Sequence, residues 1–340
     1  MHNSGISVVM PVYNAGRYLQ TAVDSILQQS HPLLELIIVD DGSTDQAIAH
    51  LDTDDRVRCV DSPSKGIVPA LNQGIALAKY PYIARMDGDD IAAPRRLATQ
   101  LAYLHHNPKI AIAGAKVALF ADTGKLGGGY RHYQSWINQQ CTPHAIERNM
   151  FVESCIPHPT AMFHRDVIDA LGGYHDTPWP EDYDLWCRAH LRGFRFGKPD
   201  AEALLQWRDY PERTSRAQSR YNKSQFLACK AHYLSQYLQQ IGQEECVIWG
   251  TGPTGLKLHD LLEHAGVHVR QFIDVNPKLQ NRRKRGKPIW VINEPLKSHD
   301  LESLQPYTVV AVAARGAREK IHIALTSAGQ TELRHFLFAA

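Results

Sequence analysis

Strand-like runs that end in carboxylates set the frame for this chain. Leu36-Ile37-Ile38-Val39 leads straight into Asp40-Asp41, and Tyr82-Ile83-Ala84-Arg85-Met86 into Asp87-Gly88-Asp89-Asp90. A short continuous apolar run, without alternation, reads as a strand covered on both faces, the habit of parallel sheets. Carboxylates placed just past the ends of such strands lie where an open parallel sheet opens its ligand crevice. A third acidic pair, Glu181-Asp182, follows in order. Together the three suggest a site that holds a cation, a polar ligand and a proton acceptor.

Around these runs, strand-like and helix-like stretches alternate through residues 1–120, which predicts an α/β fold with a mostly parallel sheet. Strands are expected at 6–10, 34–39, 57–60 and 82–86, and a helix at 67–78. Leu19, Ala22, Val23, Ile26 and Leu27 share one helical face at spacings of three and four. Beyond residue 95 the pattern loosens. Helices are expected at 97–104, 165–171 and 183–191, a strand at 110–119, and a loop or bulge at Gly127-Gly128-Gly129. Over 215–242, Leu227, Ala231, Leu234, Leu238 and Ile241 make one apolar stripe of a long amphipathic helix. Near residue 244 the alternation restarts, with strands at 246–249, 269–273 and 309–314 and a helix at 256–265. The expected organisation is therefore 1–214, a helical connector at 215–243, and a smaller α/β unit at 244–340.

Composition narrows the partners. With 340 residues and 44% apolar content, the chain can build two cores. A net charge of +2 points to neither nucleic acid nor membrane as partner. Six scattered cysteines without a Cys-x-x-Cys pair are expected to be free thiols of a reducing compartment. No window approaches the roughly 18 apolar residues of a membrane span, and strand-like 6–10 begins too early for a secretory signal. A cytoplasmic setting is expected, with peripheral membrane attachment left open.

The acidic clusters each have two readings. Asp87 and Asp89 flank a glycine, so both carboxylates can reach one side of a tight loop and hold a hard cation such as Mg²⁺ or Mn²⁺; Asp-x-Asp is also common in capped turns. Asp40-Asp41, before Gly42-Ser43-Thr44, suits an Asx-turn or a helix cap, or a carboxylate that accepts from a nucleobase or ribose. Glu181-Asp182 suits the first turn of a helix, or a general base beside a substrate hydroxyl.

Taken as an ordered set, Pro11-Val12-Tyr13-Asn14, Val39-Asp40-Asp41-Gly42-Ser43-Thr44-Asp45, Asn72-Gln73-Gly74, Met86-Asp87-Gly88-Asp89-Asp90 and Pro180-Glu181-Asp182-Tyr183-Asp184-Leu185-Trp186 resemble the motifs of family 2 glycosyltransferases over about residues 5–215. The resemblance implies a GT-A fold, a nucleotide-diphosphate-sugar donor (UDP first, then GDP or dTDP) and inversion at the anomeric carbon. It implies that Pro11, Val12 and Tyr13 line the nucleoside pocket, with Asp41 and Asp40 at the base. Asp87 would face the donor ribose or sugar, and Asp89 would ligate the Mn²⁺ or Mg²⁺ that bridges the diphosphate. Asp182 would be the catalytic base, with Glu181 in support. Lys65 and Gly66 fall where the family approaches the donor, and Arg208 and Arg213 in a late stretch over the diphosphate. The implied acceptor is a saccharide or lipid-linked saccharide in polysaccharide or glycoconjugate assembly, extended by a single sugar.

Other signals stand apart. His158, between two prolines, reads as a loop or structural histidine, with approach to an acceptor as the alternative, and Trp179, Tyr183 and Trp186 suit either sugar stacking or a core. The basic run from Arg282 to Lys287 reads as a solvated loop, with anionic lipid or polyphosphate contact behind it. Gly250-Thr251-Gly252-Pro253-Thr254-Gly255 matches G-x-G-x-x-G between a strand and a helix, and Asp274 ends the next strand where a ribose-binding acid belongs. With Phe272-Ile273-Asp274-Val275-Asn276-Pro277, this stretch resembles small Rossmann-like domains appended to sugar-modifying transferases. That implies a nucleotide, nucleotide-sugar or sugar-linked ligand, with a purely structural domain as the alternative. Two rival functions remain at this level: a non-catalytic nucleotide-sugar-binding protein, and redox chemistry on the C-terminal glycine loop.

Overall fold

A computed structural model describes residues 4–122, 124, 126, 128–210, 218–292, 296 and 304–340. The chain divides into two compact units, Met1–Glu147 with Cys155–Ser219, and Arg148–Ser154 with Arg220–Ala340.

In the first unit, β1 (Ile6–Val12), β2 (Leu34–Asp40), β3 (Val57–Asp61) and β4 (Tyr82–Arg85) pair in parallel in the order β3-β2-β1-β4. The later strands are β5 (Ile91–Ala92), β6 (Ile110–Ala113), β7 (Val117–Phe120), β8 (Met162–His164), β9 (Arg195–Gly197) and β10 (Leu205–Arg208). β8 joins β4 antiparallel, and β6 and β9 complete seven strands. β10, antiparallel to β5 and parallel to β7, forms a separate small sheet.

Burial on both faces explains the apolar runs. Val8, Met10, Leu36 and Ile38 belong to one cluster with Leu19, Ala22, Val23 and Ile26 of α1 (Leu19–Leu27). On the other face Val9 and Val39 meet α2 (Ile67–Leu77) at Gly74, where a Cβ would overlap the Val9 Cγ1 methyl and lie 3.3 Å from Val39 Cγ2. A third helix, α3 (Arg96–His106), adds Leu97, Leu101 and Leu104 to the α1 side.

Two expectations are corrected. The strand expected at 110–119 is two strands in two sheets, separated by residues 114–116, and the Gly114 N–H donates to the Gly197 oxygen at 2.9 Å. A Cβ at Gly114 would lie 2.9 Å from Ile156 Cδ1. The glycine-rich stretch near 128 opens a helix, Gly128–Gln139, and its Ile137 is fully buried. Glycine composition hid the Tyr130, Tyr133, Ile137 spacing of three and four.

The second unit carries β11 (Glu245–Trp249), β12 (His268–Asp274), β13 (Arg283–Lys284), β14 (Lys287–Val291), β15 (Thr308–Val310) and β16 (Phe336–Phe338), in the order β13-β14-β12-β11-β15-β16. All pairs are parallel except the β13-β14 hairpin, a Rossmann-like arrangement. Val247, Trp249, Ile273, Val310, Phe336 and Phe338 share its core. The amphipathic helix runs over Lys223–Gln240, capped by Asn222 Oδ1 accepting from Gln225 N at 2.9 Å, and clusters with this unit. The expected start at 215 lies outside the described residues. None of the six cysteines is in a disulfide, and among the described residues no helix is long and apolar enough to cross a membrane.

The Gly74 approach sets a test of the α2 packing. Gly74→Ala is expected to lower stability in urea unfolding by about 1–3 kcal/mol, the usual penalty of overpacking; unchanged stability would contradict the close contact.

Candidate active site

The crevice forms at the carboxyl ends of β1, β2 and β4. The two loops after β1 and β2 are stitched together: Asp41 N donates to Val12 O at 2.8 Å, Thr44 N to Asn14 Oδ1 at 2.7 Å, and Gly16 N to Asp45 Oδ2 at 2.7 Å. Asp40 makes the turn contact its sequence allows, accepting from Ser43 N at 2.8 Å. Asp41 instead reaches across to α2, where its Oδ1 accepts from Gly66 N at 2.6 Å. Gly66 takes φ 118°, which a side chain would strain. Burial raises the Asp41 pKa and the Asp40 charge adds to this, while the Gly66 N–H and Lys65 oppose it. Pro11, Val12, Tyr13, Asp41, Asp87 and Asp89 line a cavity of about 100 Å³. Tyr13, one of these lining residues, is 60% exposed, and Lys65 is also exposed.

Past β4 the acidic loop brings one carboxylate oxygen each of Asp87, Asp89 and Asp90 within 4.8 Å of one another. Their directions are imposed from outside the loop. Arg85 Nη2 pairs with Asp87 Oδ1 at 2.5 Å, Tyr210 OH donates to Asp89 Oδ2 at 2.7 Å, and Arg208 N donates to Asp90 Oδ1 at 2.8 Å. The Arg208 side chain lies under the loop, with Nε on Asp89 O at 2.8 Å and Nη1 paired to Asp122. Its guanidinium also covers the Tyr18 and Phe120 rings, at 4.2 and 4.5 Å from their centroids. Three oxygen donors converging with these supports suit a hard divalent cation.

The third acidic pair opens the helix Glu181–Leu191, immediately after Pro180. Asp182 Oδ1 accepts from Tyr183 N at 2.7 Å. Burial first and the Glu181 charge second push the Asp182 pKa up to about 7, against the Tyr183 N–H and Arg85. Glu181 is buried, with His158 Nδ1 3.6 Å from its Oε1. On its other side His158 Nε2 shares a 2.8 Å hydrogen bond with Tyr174 OH. Burial and the Arg85 charge hold the His158 pKa well below its ordinary value, so the ring is neutral near pH 7.

Two clamps fix this layer. Asn72 bonds both the N–H and the C=O of Tyr174, at 2.9 and 2.8 Å. Asp184 accepts from Arg188 Nε at 2.7 Å and from Trp179 Nε1 at 2.8 Å, and Arg188 donates to Leu171 O and Gly173 O. Tyr183 and Trp186 are core residues, with 0% and 1% exposure, and present no stacking platform.

The structure thus gathers Pro11, Val12, Tyr13, Asp41, Asp87 and Asp89 into one crevice. Arg208 lies beneath it rather than inside, and Arg213 falls outside the described residues. Gly250, Gly252, Gly255 and Asp274 belong to the second unit, where Asp274 Oδ2 accepts from Thr251 N and Oγ1 and so holds the glycine loop. Sequence reasoning missed Arg85, a charge inside an otherwise apolar strand. It is 4% exposed, its charge acts on both Asp87 and Asp182, and its Nε and Nη1 find no hydrogen-bond partner among the described residues. His158 was visible only as a histidine between prolines; its burial beside Glu181 needed the fold.

The model of the family "Glycosyl transferase family 2" matches residues 7–172. An O-antigen biosynthesis glycosyltransferase of Escherichia coli, WbnJ, is 30% identical over 244 residues, 69% of this chain and 89% of its own. An uncharacterized glycosyltransferase of Haemophilus influenzae is 29% identical over 252 residues, 72% of this chain and 77% of its own. Among solved structures, residues 1-349 of S. aureus TarS in complex with UDP-GlcNAc match with a TM-score of 0.51 at 15% identity, covering 69% of this chain and 73% of that one.

The raised pKa of Asp182 has a stability consequence. The folded chain holds this proton more tightly than the unfolded chain, whose value is about 3.9. The stabilisation is complete below that pH and is lost as pH rises through about 7. Asp182→Asn is therefore expected to raise the melting temperature at pH 8 and to change it little at pH 4, measured by calorimetry; a lower value at pH 8 would remove the burial argument.

Proposed function

The chain belongs to the family 2 glycosyltransferases, and from that premise we propose that it moves a sugar from a UDP-sugar donor to an acceptor hydroxyl by one inverting displacement. Its first unit has the GT-A fold. One observation carries the reading: Asp87, Asp89 and Asp90 converge within 4.8 Å beside the Tyr13–Asp41 crevice, and Arg85 joins them electrostatically to Asp182.

In this reading Pro11, Val12 and Tyr13 flank the nucleoside, with Asp41 at the base and Asp40 shaping the loop. Lys65 and Gly66 border the donor, and Asp87 faces its ribose or sugar. Asp89, with Asp87 and Asp90 adjacent, would hold Mn²⁺ or Mg²⁺. When bound there, the cation neutralises charge that builds on the departing diphosphate. Arg208 is a positioning residue, since its guanidinium contacts Asp89 O, Asp122 and two rings.

Asp182 takes the acceptor proton as the hydroxyl attacks the sugar from the face opposite the diphosphate. A base is most useful when its pKa lies near the working pH, and burial beside Glu181 moves Asp182 there. Glu181 supports through its charge, held by the buried layer of His158 and Tyr174. UDP is supported by the UDP-GlcNAc complex of TarS, and a saccharide or lipid-linked saccharide acceptor by the O-antigen role of WbnJ. The setting is cytoplasmic, with peripheral contact to a membrane where the acceptor is lipid-linked.

Two experiments test this. In calorimetric titration UDP is expected to bind with Mn²⁺, and Asp89→Asn to weaken metal-dependent binding by at least about tenfold; equal binding in both proteins would contradict the metal assignment. In pH–rate profiles of donor turnover, activity is expected to rise along an acid limb near pH 7. Glu181→Gln removes the like charge, so the limb should move to lower pH; an unmoved limb would separate Glu181 from the base.

A further inference from the structure

The whole-chain charge of +2 hides one strongly basic segment in the second unit. From Val275 to Ile292 the chain carries six Lys or Arg residues and no acid. This segment leaves β12, makes a short helical turn at Pro277–Leu279 and returns as the β13-β14 hairpin at the edge of the sheet.

Their partners divide the six cations. Arg285 pairs with Asp260 at 2.8 Å and Lys287 with Glu263 at 2.9 Å, which ties the hairpin to the helix Pro253–His264. Among the described residues Arg283 and Lys284 meet only carbonyls, the Gly286 and Thr251 oxygens, and so keep their full charge. The Lys278 and Arg282 side chains are exposed and bond nothing among the described residues.

Protection of a sheet edge explains part of this. Charged side chains on an edge strand discourage pairing with another chain, but the edge strand β13 contains only Arg283 and Lys284. Lys278 and Arg282 lie before it, in a loop whose backbone is pinned. Asp274 Oδ1 accepts from Asn276 N at 3.0 Å, Asn276 Oδ1 accepts from Lys278 N at 3.1 Å, and Ile289 N donates to Arg282 O at 3.2 Å.

Two apolar residues complete the surface. Val275 is 63% exposed and Pro277 is also exposed, on either side of Asn276. An exposed valine alone is ordinary. In the same short loop as unneutralised cations, it makes a surface that is basic and apolar at once. A soluble polyanion would engage the cations and leave Val275 in water. An anionic bilayer offers headgroup charge to the cations and its interfacial region to the valine.

We infer that the loop from Val275 to Lys284 docks the second unit on a membrane rich in anionic lipid, with Lys278 and Arg282 on headgroup phosphates and Val275 and Pro277 at the interface. The inference stands on this unit's residues alone and holds whether or not the transferase acceptor is lipid-linked. The test is co-sedimentation of the full chain with vesicles of phosphatidylcholine, alone or mixed in equal parts with phosphatidylglycerol. Wild type is compared with Lys278→Glu plus Arg282→Glu, with Val275→Ser, and with Lys109→Glu plus Arg195→Glu. The last protein reverses two exposed cations of the first unit and so matches the change in net charge. Wild type is expected to sediment with the mixed vesicles and not with phosphatidylcholine alone. Each Lys or Arg near an anionic surface raises affinity about fivefold, so reversing Lys278 and Arg282 should weaken binding by at least about twentyfold. Its melting temperature and its UDP binding should stay at the wild-type values, because neither side chain has a partner to lose. Val275→Ser should weaken binding by about three- to tenfold, and Lys109→Glu plus Arg195→Glu should leave it nearly unchanged. Wild type that ignores the mixed vesicles, full binding after reversal of Lys278 and Arg282, or an equal loss in the first-unit control would each overturn the inference. So would unchanged binding of Val275→Ser together with release by soluble polyphosphate, which would make a polyanion the partner.

Discussion

The buried ion pair between Arg85 and Asp87 is the interaction on which the first unit's site depends. A guanidinium that is 4% exposed inside a strand is tolerable only with a charged partner, and Asp87 supplies one at 2.5 Å. Removing one member of such a pair strands the other charge in low dielectric, typically at about 3–5 kcal/mol. The strand end is held from below as well. Arg96, itself fully buried, donates to Arg85 O at 2.6 Å, and Gln100 ties the same layer to Thr160 O at 2.7 Å. The acidic loop is thus a prestressed electrostatic element: three carboxylates crowd together because arginines and a tyrosine hold them there.

That arrangement links the two halves of the chemistry. The Arg85 charge opposes the protonation of Asp182 that burial and Glu181 favour, so the base sits near pH 7 rather than higher. Burial first, and the Arg85 charge after it, keep His158 neutral beside Glu181. Site geometry and site electrostatics therefore share one residue. Marginal local stability at Asp182 is the usual companion of a functional carboxylate.

What could be read from the sequence was what depends on neighbours along the chain. Leu36 to Val39 announce a doubly covered strand, and the carboxylates behind them announce a crevice, because both facts follow from burial period and position. Cross-chain relations were not legible. At the break between β6 and β7, Gly114 meets Ile156 and Gly197, both distant in sequence. Arg208 looked like a residue for phosphate; the Tyr18 and Phe120 rings and the Asp89 carbonyl, all remote in sequence, draw it beneath the loop. Asp274 matched a fingerprint position, yet Thr251 across the loop occupies its carboxylate. In each case residue type and spacing were right and the partner decided the role.

The most direct measurement is the pH–rate profile of donor turnover in Arg85→Met, with Arg85→Lys as the charge-retaining control. With Arg85 gone, only the backbone N–H groups of Tyr183 and Asp182 oppose the upward push on Asp182. The account predicts an acid limb moved to higher pH in Arg85→Met and largely restored in Arg85→Lys. A limb that stays where the wild type has it, in a folded Arg85→Met protein, would show that the acidic loop and the base are electrically independent and would contradict the account.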